Sequence, residues 1–125
     1  QRVTLHSGDW EEVSKKYDKE DTLFFFDPPY RDSFTTYGGE FGDDQQQRVI
    51  NFCNQTKGNV MLTNRDDGDG FFDDKIDKNK LDIKRIPVTY TAGRRKKTED
   101  GFEAKPATEV LIYSKQLNSK FFSYE

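Results

Sequence analysis

The sequence predicts an α/β fold that ends in an antiparallel strand pair, and three observations carry that reading. The run Leu23-Phe24-Phe25-Phe26 is unbroken and apolar, and Asp27-Pro28-Pro29-Tyr30 cuts it off. This is the pattern of a strand buried on both faces, as in the middle of a parallel sheet. A stretch with helical spacing, 43–58, then leads into a second apolar run, Val60-Met61-Leu62. Strand–helix–strand alternation of this kind builds parallel sheets. Finally, two extended segments, 81–91 and 108–114, flank a charged loop containing Gly and Pro, the arrangement of a long hairpin. The expected order is β-α-β-α-β-α-β-β.

Taken in order, Arg2 to His6 alternates, with Val3 and Leu5 on one face, and reads as a short strand. Asp9 has the character of a helix N-cap, with Glu12 at the capping-box position three residues on. Val13 and Tyr17, four apart, are expected to face the core. The strand over 22–27 follows. Residues 31–42 hold Ser, Thr, Gly, Phe34, Tyr37 and Phe41, the length and composition of an active-site loop. Asp43 opens a second helix with Gln46 at its capping-box position; Val49, Ile50 and Cys53 form its apolar stripe and Gly58 ends it. Val60 to Asn64 is a buried strand. Phe71, Phe72 and Ile76 suggest a short third helix. Pro87 places the strand over 81–91 at a sheet edge or marks a bulge. Residues 92–107 carry eight charges and are expected to form a mobile loop. In the tail 115–125, Phe121, Phe122 and Tyr124 need a covering surface.

Composition narrows the function. The chain has 125 residues, 32% hydrophobic and 34% charged, with a mean hydropathy of −1.02. That length allows one domain with a real core, though the balance is polar for a self-sufficient α/β unit. A net charge of −3 excludes a globally basic nucleic-acid binder, so such a role must rest on a local patch. A single cysteine, Cys53, excludes an internal disulfide and a multi-cysteine zinc site, suits a reducing compartment, and leaves no metal site to expect. No apolar run approaches the ~20 residues of a membrane span, and no signal peptide or internal repeat is evident. The chain opens at Gln1 directly before a strand-like segment, and reads as a fragment or an incomplete or processed chain.

The corner at 27–30 is the chemical focus. Neither proline has an N–H for a strand ladder, and both fix φ. Asp27 and Tyr30 are thereby presented just past a strand's carboxyl end, where open α/β sheets bind ligands. Asp-Pro-Pro-Tyr after an apolar strand resembles the catalytic motif of amino-group methyltransferases that use S-adenosylmethionine. The later pattern, Val60-Met61-Leu62-Thr63-Asn64 and a basic loop feeding Ala107-Thr108-Glu109-Val110-Leu111-Ile112-Tyr113, resembles the Dam-type DNA adenine-N6 methyltransferases. The similarity covers roughly 2–114 and the later part of such an enzyme.

The resemblance implies a Rossmann-like S-adenosylmethionine-dependent methyltransferase fold, of which this chain holds the later half of the sheet. Residues 1–114 would be a partial catalytic domain lacking the Gly-rich cofactor loop and the target-recognition segment, and 115–125 a C-terminal tail. Gly38-Gly39 follows no strand and Gly68-Asp69-Gly70 lies in an acidic loop, so neither replaces the Gly-rich loop. The implied cofactor is S-adenosylmethionine. The implied partners are double-stranded DNA with a flipped adenine and the missing N-terminal part of the same enzyme, with no membrane. The implied setting is a restriction-modification or phage system, in the cytoplasm of a bacterial or phage-infected cell. The catalytic set would be Asp27, Pro28, Pro29 and Tyr30. Asp27 and the Pro28 carbonyl would each accept one N–H of the adenine amino group, baring its lone pair, while Tyr30 stacks on the base. Asp9, Trp10 and Asp27 would face the cofactor.

Each assignment has a plainer counterpart. The corner could be a strand-ending turn, Asp9 a cap and Trp10 a packing residue. Arg94-Arg95-Lys96-Lys97 could grip DNA phosphate, or be a solvated loop balanced by Glu99, Asp100 and Glu103. Asn64 and Arg65 could line the adenine pocket or hold the loop. Glu109 matches the family without an assigned chemistry, His6 reads as packing or surface, and Cys53 as core. Two other functions stay open: an RNA base methyltransferase, and a catalytically silent module that binds a partner.

Overall fold

The computed structural model describes residues 9–31, 33–35, 39–90, 97–98, 101–102 and 105–117. The expected strand over 2–6 with His6, the cations Arg94, Arg95 and Lys96, and the aromatics of the tail lie outside them. In chain order the elements are α1 (Trp10–Lys16), β1 (Leu23–Phe26), β2 (Ser33–Thr35), β3 (Gly39–Phe41), α2 (Asp43–Gln55), β4 (Asn59–Arg65), β5 (Leu81–Tyr90), β6 (Lys97–Thr98), β7 (Gly101–Phe102), β8 (Lys105–Ser114) and a 3-10 turn at Lys115–Leu117.

The fold is mixed α/β. Its main sheet has the order β1-β4-β8-β5. β1 runs parallel to β4, with Phe24 opposite Val60 and Phe26 opposite Leu62. β8 is antiparallel to both β4 and β5, so the expected terminal antiparallel pair is present. Pro87 sits in β5, at the sheet edge, where a missing N–H costs no ladder bond on the open side. Two small hairpins, β2–β3 and β6–β7, occupy segments expected to be loops.

The core lies on one face of this sheet. Val49, Ile50 and Cys53 of α2 are buried against Val60, Leu62, Val110, Ile112 and Leu81. Each such side chain, fully buried, contributes roughly 1.5–3 kcal/mol. Burial also pushes the Cys53 thiol up to about 12, so it is an inert core residue. Phe24 and Phe26 stack at 6.0 Å, and both meet Phe52 edge-on at 5.2 and 5.7 Å. Trp10 closes this cluster against Phe26 and Phe52.

Several expectations are corrected. β1 is buried on one face rather than two, since Leu23 is 48% and Phe25 62% exposed. Their side of the sheet is not covered by a helix among the described residues. Asp9 does occupy the N-cap position of α1, but its side chain makes no capping hydrogen bond. Tyr17 is exposed because α1 ends at Lys16, which puts Tyr17 at the C-cap. The N-cap of α2 is Gly42, and the Gln46 side chain turns inward instead of closing a capping box. Residues 71–76 form turns rather than a helix, held by bonds such as Ile76 N–H to the Phe72 carbonyl at 3.2 Å. Thr56, not Gly58, is the C-cap of α2. Gly58 is required for a different reason: a Cβ there would lie 2.6 Å from the Thr22 carbonyl oxygen and 2.8 Å from that of Lys19. The Asp18 carboxylate locks the same junction by accepting from Thr56 and from the Lys57 and Gly58 amides.

Candidate active site

β1 and β4 are parallel, so their carboxyl ends lie side by side and deliver Asp27 and Thr63 to one edge. The Thr63 hydroxyl donates to Asp27 Oδ1 at 2.9 Å. Asp27 is otherwise exposed, so one carboxylate oxygen is held by the frame and the group as a whole faces solvent. Asp27, Pro28, Pro29 and Tyr30 line an open cleft of about 510 Å³. A second, mostly apolar cleft of about 240 Å³ adjoins it, lined by Trp10, Phe25, Phe26, Asp27, Pro28, Pro29 and Val49. The Asp27-Pro28-Pro29 corner is therefore the wall that the two clefts share.

The corner is anchored from beneath. Gln46, fully buried on α2, donates its side-chain amide to the Pro29 carbonyl at 2.6 Å. Asn64, fully buried on β4, donates to Gln46 Oε1 at 3.2 Å and points its amide at the same carbonyl at 3.5 Å. The Asn64 side-chain oxygen in turn accepts from the Arg65 amide at 2.8 Å. Asn64 thus has the structural role open to it on sequence grounds, and Gln46 shares it. The Tyr30 hydroxyl donates to Glu109 on β8 at 2.6 Å, and the Arg65 guanidinium lies over the Tyr30 ring at 5.2 Å.

Arg31 was not singled out by the sequence, although a cation directly after the corner and facing a run of aspartates was a visible signal. It forms a paired bond to Asp43 at 2.8 and 3.0 Å, meets Asp69 at 2.7 Å, and lies over the Phe71 ring at 3.9 Å. It ties the corner to the start of α2 and to the turn where Gly68 and Gly70 take positive φ. The hydrogen bonds from Arg31 hold the Asp43 and Asp69 carboxyls below the usual carboxylate range. Because those folded values are depressed, the stabilisation is complete above the unfolded carboxylate value near 4 and is lost as pH falls through the folded ones. Melting curves should therefore show the wild type ahead of Arg31→Met at neutral pH, with the gap closing below about pH 4. A gap that stays constant across that range would exclude this linkage.

Of the remaining candidates, Trp10 lines the apolar cleft beside Asp27. Asp9 lies outside that lining, exposed, with its carboxylate 4.0 Å from Arg48. Lys97 is placed in β6. Among the described residues no group of acidic, His or Cys side chains could hold a metal, and no helix is long and apolar enough to cross a membrane.

The structure is thus an α/β protein with a proline-stiffened acidic corner between two clefts, at the carboxyl ends of parallel strands. The family model for D12 class N6 adenine-specific DNA methyltransferases matches residues 1–96. The chain belongs to that family, as its resemblance to the adenine-N6 methyltransferases implied. No curated protein matches it significantly.

Proposed function

We propose that this chain carries the catalytic edge of an S-adenosylmethionine-dependent, site-specific DNA adenine-N6 methyltransferase with a Rossmann-like sheet. The observation that supports this most is the double use of the corner. Asp27, Pro28 and Pro29 border both the aromatic cleft and the cleft beside Tyr30, as a wall between methyl donor and acceptor must. The aromatic cleft suits the cofactor chemically, pairing flat apolar walls from Trp10, Phe25 and Phe26 with a carboxylate for a sulfonium charge. Asp27 and Trp10 line that cleft, and Asp9, next to Trp10 in sequence, is the third residue assigned to hold the cofactor. When bound, that cofactor supplies an electrophilic methyl group.

The chain's own residues supply position and charge. An adenine amino group is a weak nucleophile because its lone pair is delocalised into the ring. Asp27 Oδ2 and the Pro28 carbonyl each accept one of its N–H groups and draw the nitrogen toward tetrahedral geometry. Acceptors fixed before the reaction stabilise the transition state without reorganising. Thr63 keeps the carboxylate aimed by holding Oδ1. No strong base is needed first, because the proton can leave after transfer by way of the solvent-exposed Asp27. Tyr30 provides a ring for the flipped base, and Arg94, Arg95, Lys96 and Lys97 a grip on DNA phosphate.

The test is methyl transfer from labelled S-adenosylmethionine to DNA and to RNA by the full-length gene product. Label recovered as N6-methyladenine in DNA is the expected result. Label in RNA alone would move the substrate class, and none in either, despite saturable cofactor binding, would leave a binding module.

A further inference from the structure

We propose that Glu109 is a positioning residue for Tyr30, with the Arg65 guanidinium packed over the same ring. The inference rests on the stacking role given to Tyr30 above. Glu109 lies on β8, two strands away from the strand that carries the corner. Its carboxylate nevertheless accepts from the Tyr30 hydroxyl at 2.6 Å, 79 residues away in sequence. Directly opposite Glu109 in the β4–β8 register is Arg65. Its guanidinium is fixed by Asp67 at 2.9 Å and lies over the Tyr30 ring at 5.2 Å.

These contacts constrain the ring at separate points. The Pro29 carbonyl, one residue before Tyr30, is clamped by Gln46. The far end of the side chain is tethered to a carboxylate, a strong acceptor for a hydroxyl donor. One face is taken by a cation. Tyr30 also lines the open cleft, where a flat ligand would meet it. A ring held in this way does not lose rotational freedom when a base stacks on it, and preorganisation of this kind raises affinity. The effect belongs in base capture rather than in the methyl-transfer step.

Glu109→Ala and Tyr30→Phe should each raise KM for DNA by about tenfold, the scale of a lost hydrogen bond to a charged group, with kcat much less affected. The double variant should be no worse than either single one, since both remove the same bond. Glu109→Gln, whose amide oxygen can still accept, should recover most of the loss. Fluorescence of 2-aminopurine placed at the target adenine should fall in parallel. Independently of activity, NMR of labelled Tyr30 should show ring flipping that accelerates in Glu109→Ala. An unchanged KM in Glu109→Ala, or costs that add in the double variant, would overturn the positioning role. If the wild type methylates no adenine, the stacking role falls with the reading of the site, and the ring-flip rates alone decide whether the tether exists.

Discussion

Replacing Asp27 with alanine is expected to lower methyl transfer by at least 10²–10³-fold while leaving the melting temperature nearly unchanged. The rate effect follows from losing a fixed acceptor aimed at the reacting nitrogen, a change of that order where single transition-state partners have been removed. The loss of negative charge beside the cofactor cleft adds to it. The stability effect is small because Asp27 is exposed and bonded to Thr63 at the surface. Once Asp27 is gone, the partly exposed Thr63 hydroxyl can turn to water. Asp27→Asn separates geometry from charge. Its amide can still engage Thr63 and present one acceptor, so it should keep more activity than alanine. Thr63→Val should fall between, by about tenfold, through loss of aim alone. Single-turnover transfer of labelled methyl, read beside thermal melting, checks all three. An alanine variant working within tenfold of wild type would take Asp27 out of the mechanism.

The part of this site that was legible in the sequence is the part made by neighbours in the chain. An apolar strand that runs into two prolines must stop and turn, so the location of Asp27 and Tyr30 could be read from eight consecutive residues. The strands β4, β5 and β8 announced themselves by composition, and Pro87 gave β5 its edge position. What could not be read is the far partner of each side chain. Gln46 reaches Pro29 across 17 residues, Asn64 across 35, and Tyr30 reaches Glu109 across 79. Periodicity carries no record of such pairings. Gln46 matched a capping box as well as it matched anything, and only the packing of α2 under the corner turns it into a clamp. The one-sided burial of β1 has the same origin. Four apolar residues in a row state that both faces can be buried, not that both are covered within the described chain.

That hidden clamp leads to the second large expected effect. Gln46→Leu fits the same volume but removes the donor to the Pro29 carbonyl and the acceptor for Asn64. The Asn64 amide is fully buried and keeps only its long 3.5 Å contact to the Pro29 carbonyl, and a poorly satisfied buried polar group costs about 1–3 kcal/mol. A loss of about 1–3 kcal/mol is a large share of a domain's typical 5–15 kcal/mol, and should lower the melting temperature by roughly 5–10 °C. Activity should fall further than unfolding explains. Below the melting transition, a corner free to drift by a fraction of an ångström misplaces two acceptors at once, and misplacement near 1 Å costs up to about 10²-fold. The double variant Gln46→Leu/Asn64→Leu provides the internal control. Asn64→Leu also takes an acceptor from the Arg65 amide, but the Gln46–Asn64 bond that each single variant breaks is lost only once, so the double loss of stability should be smaller than the sum of the two single losses. Strict additivity, or a Gln46→Leu protein that melts with the wild type, would mean that the corner owes its rigidity to its prolines and not to the buried amides beneath it.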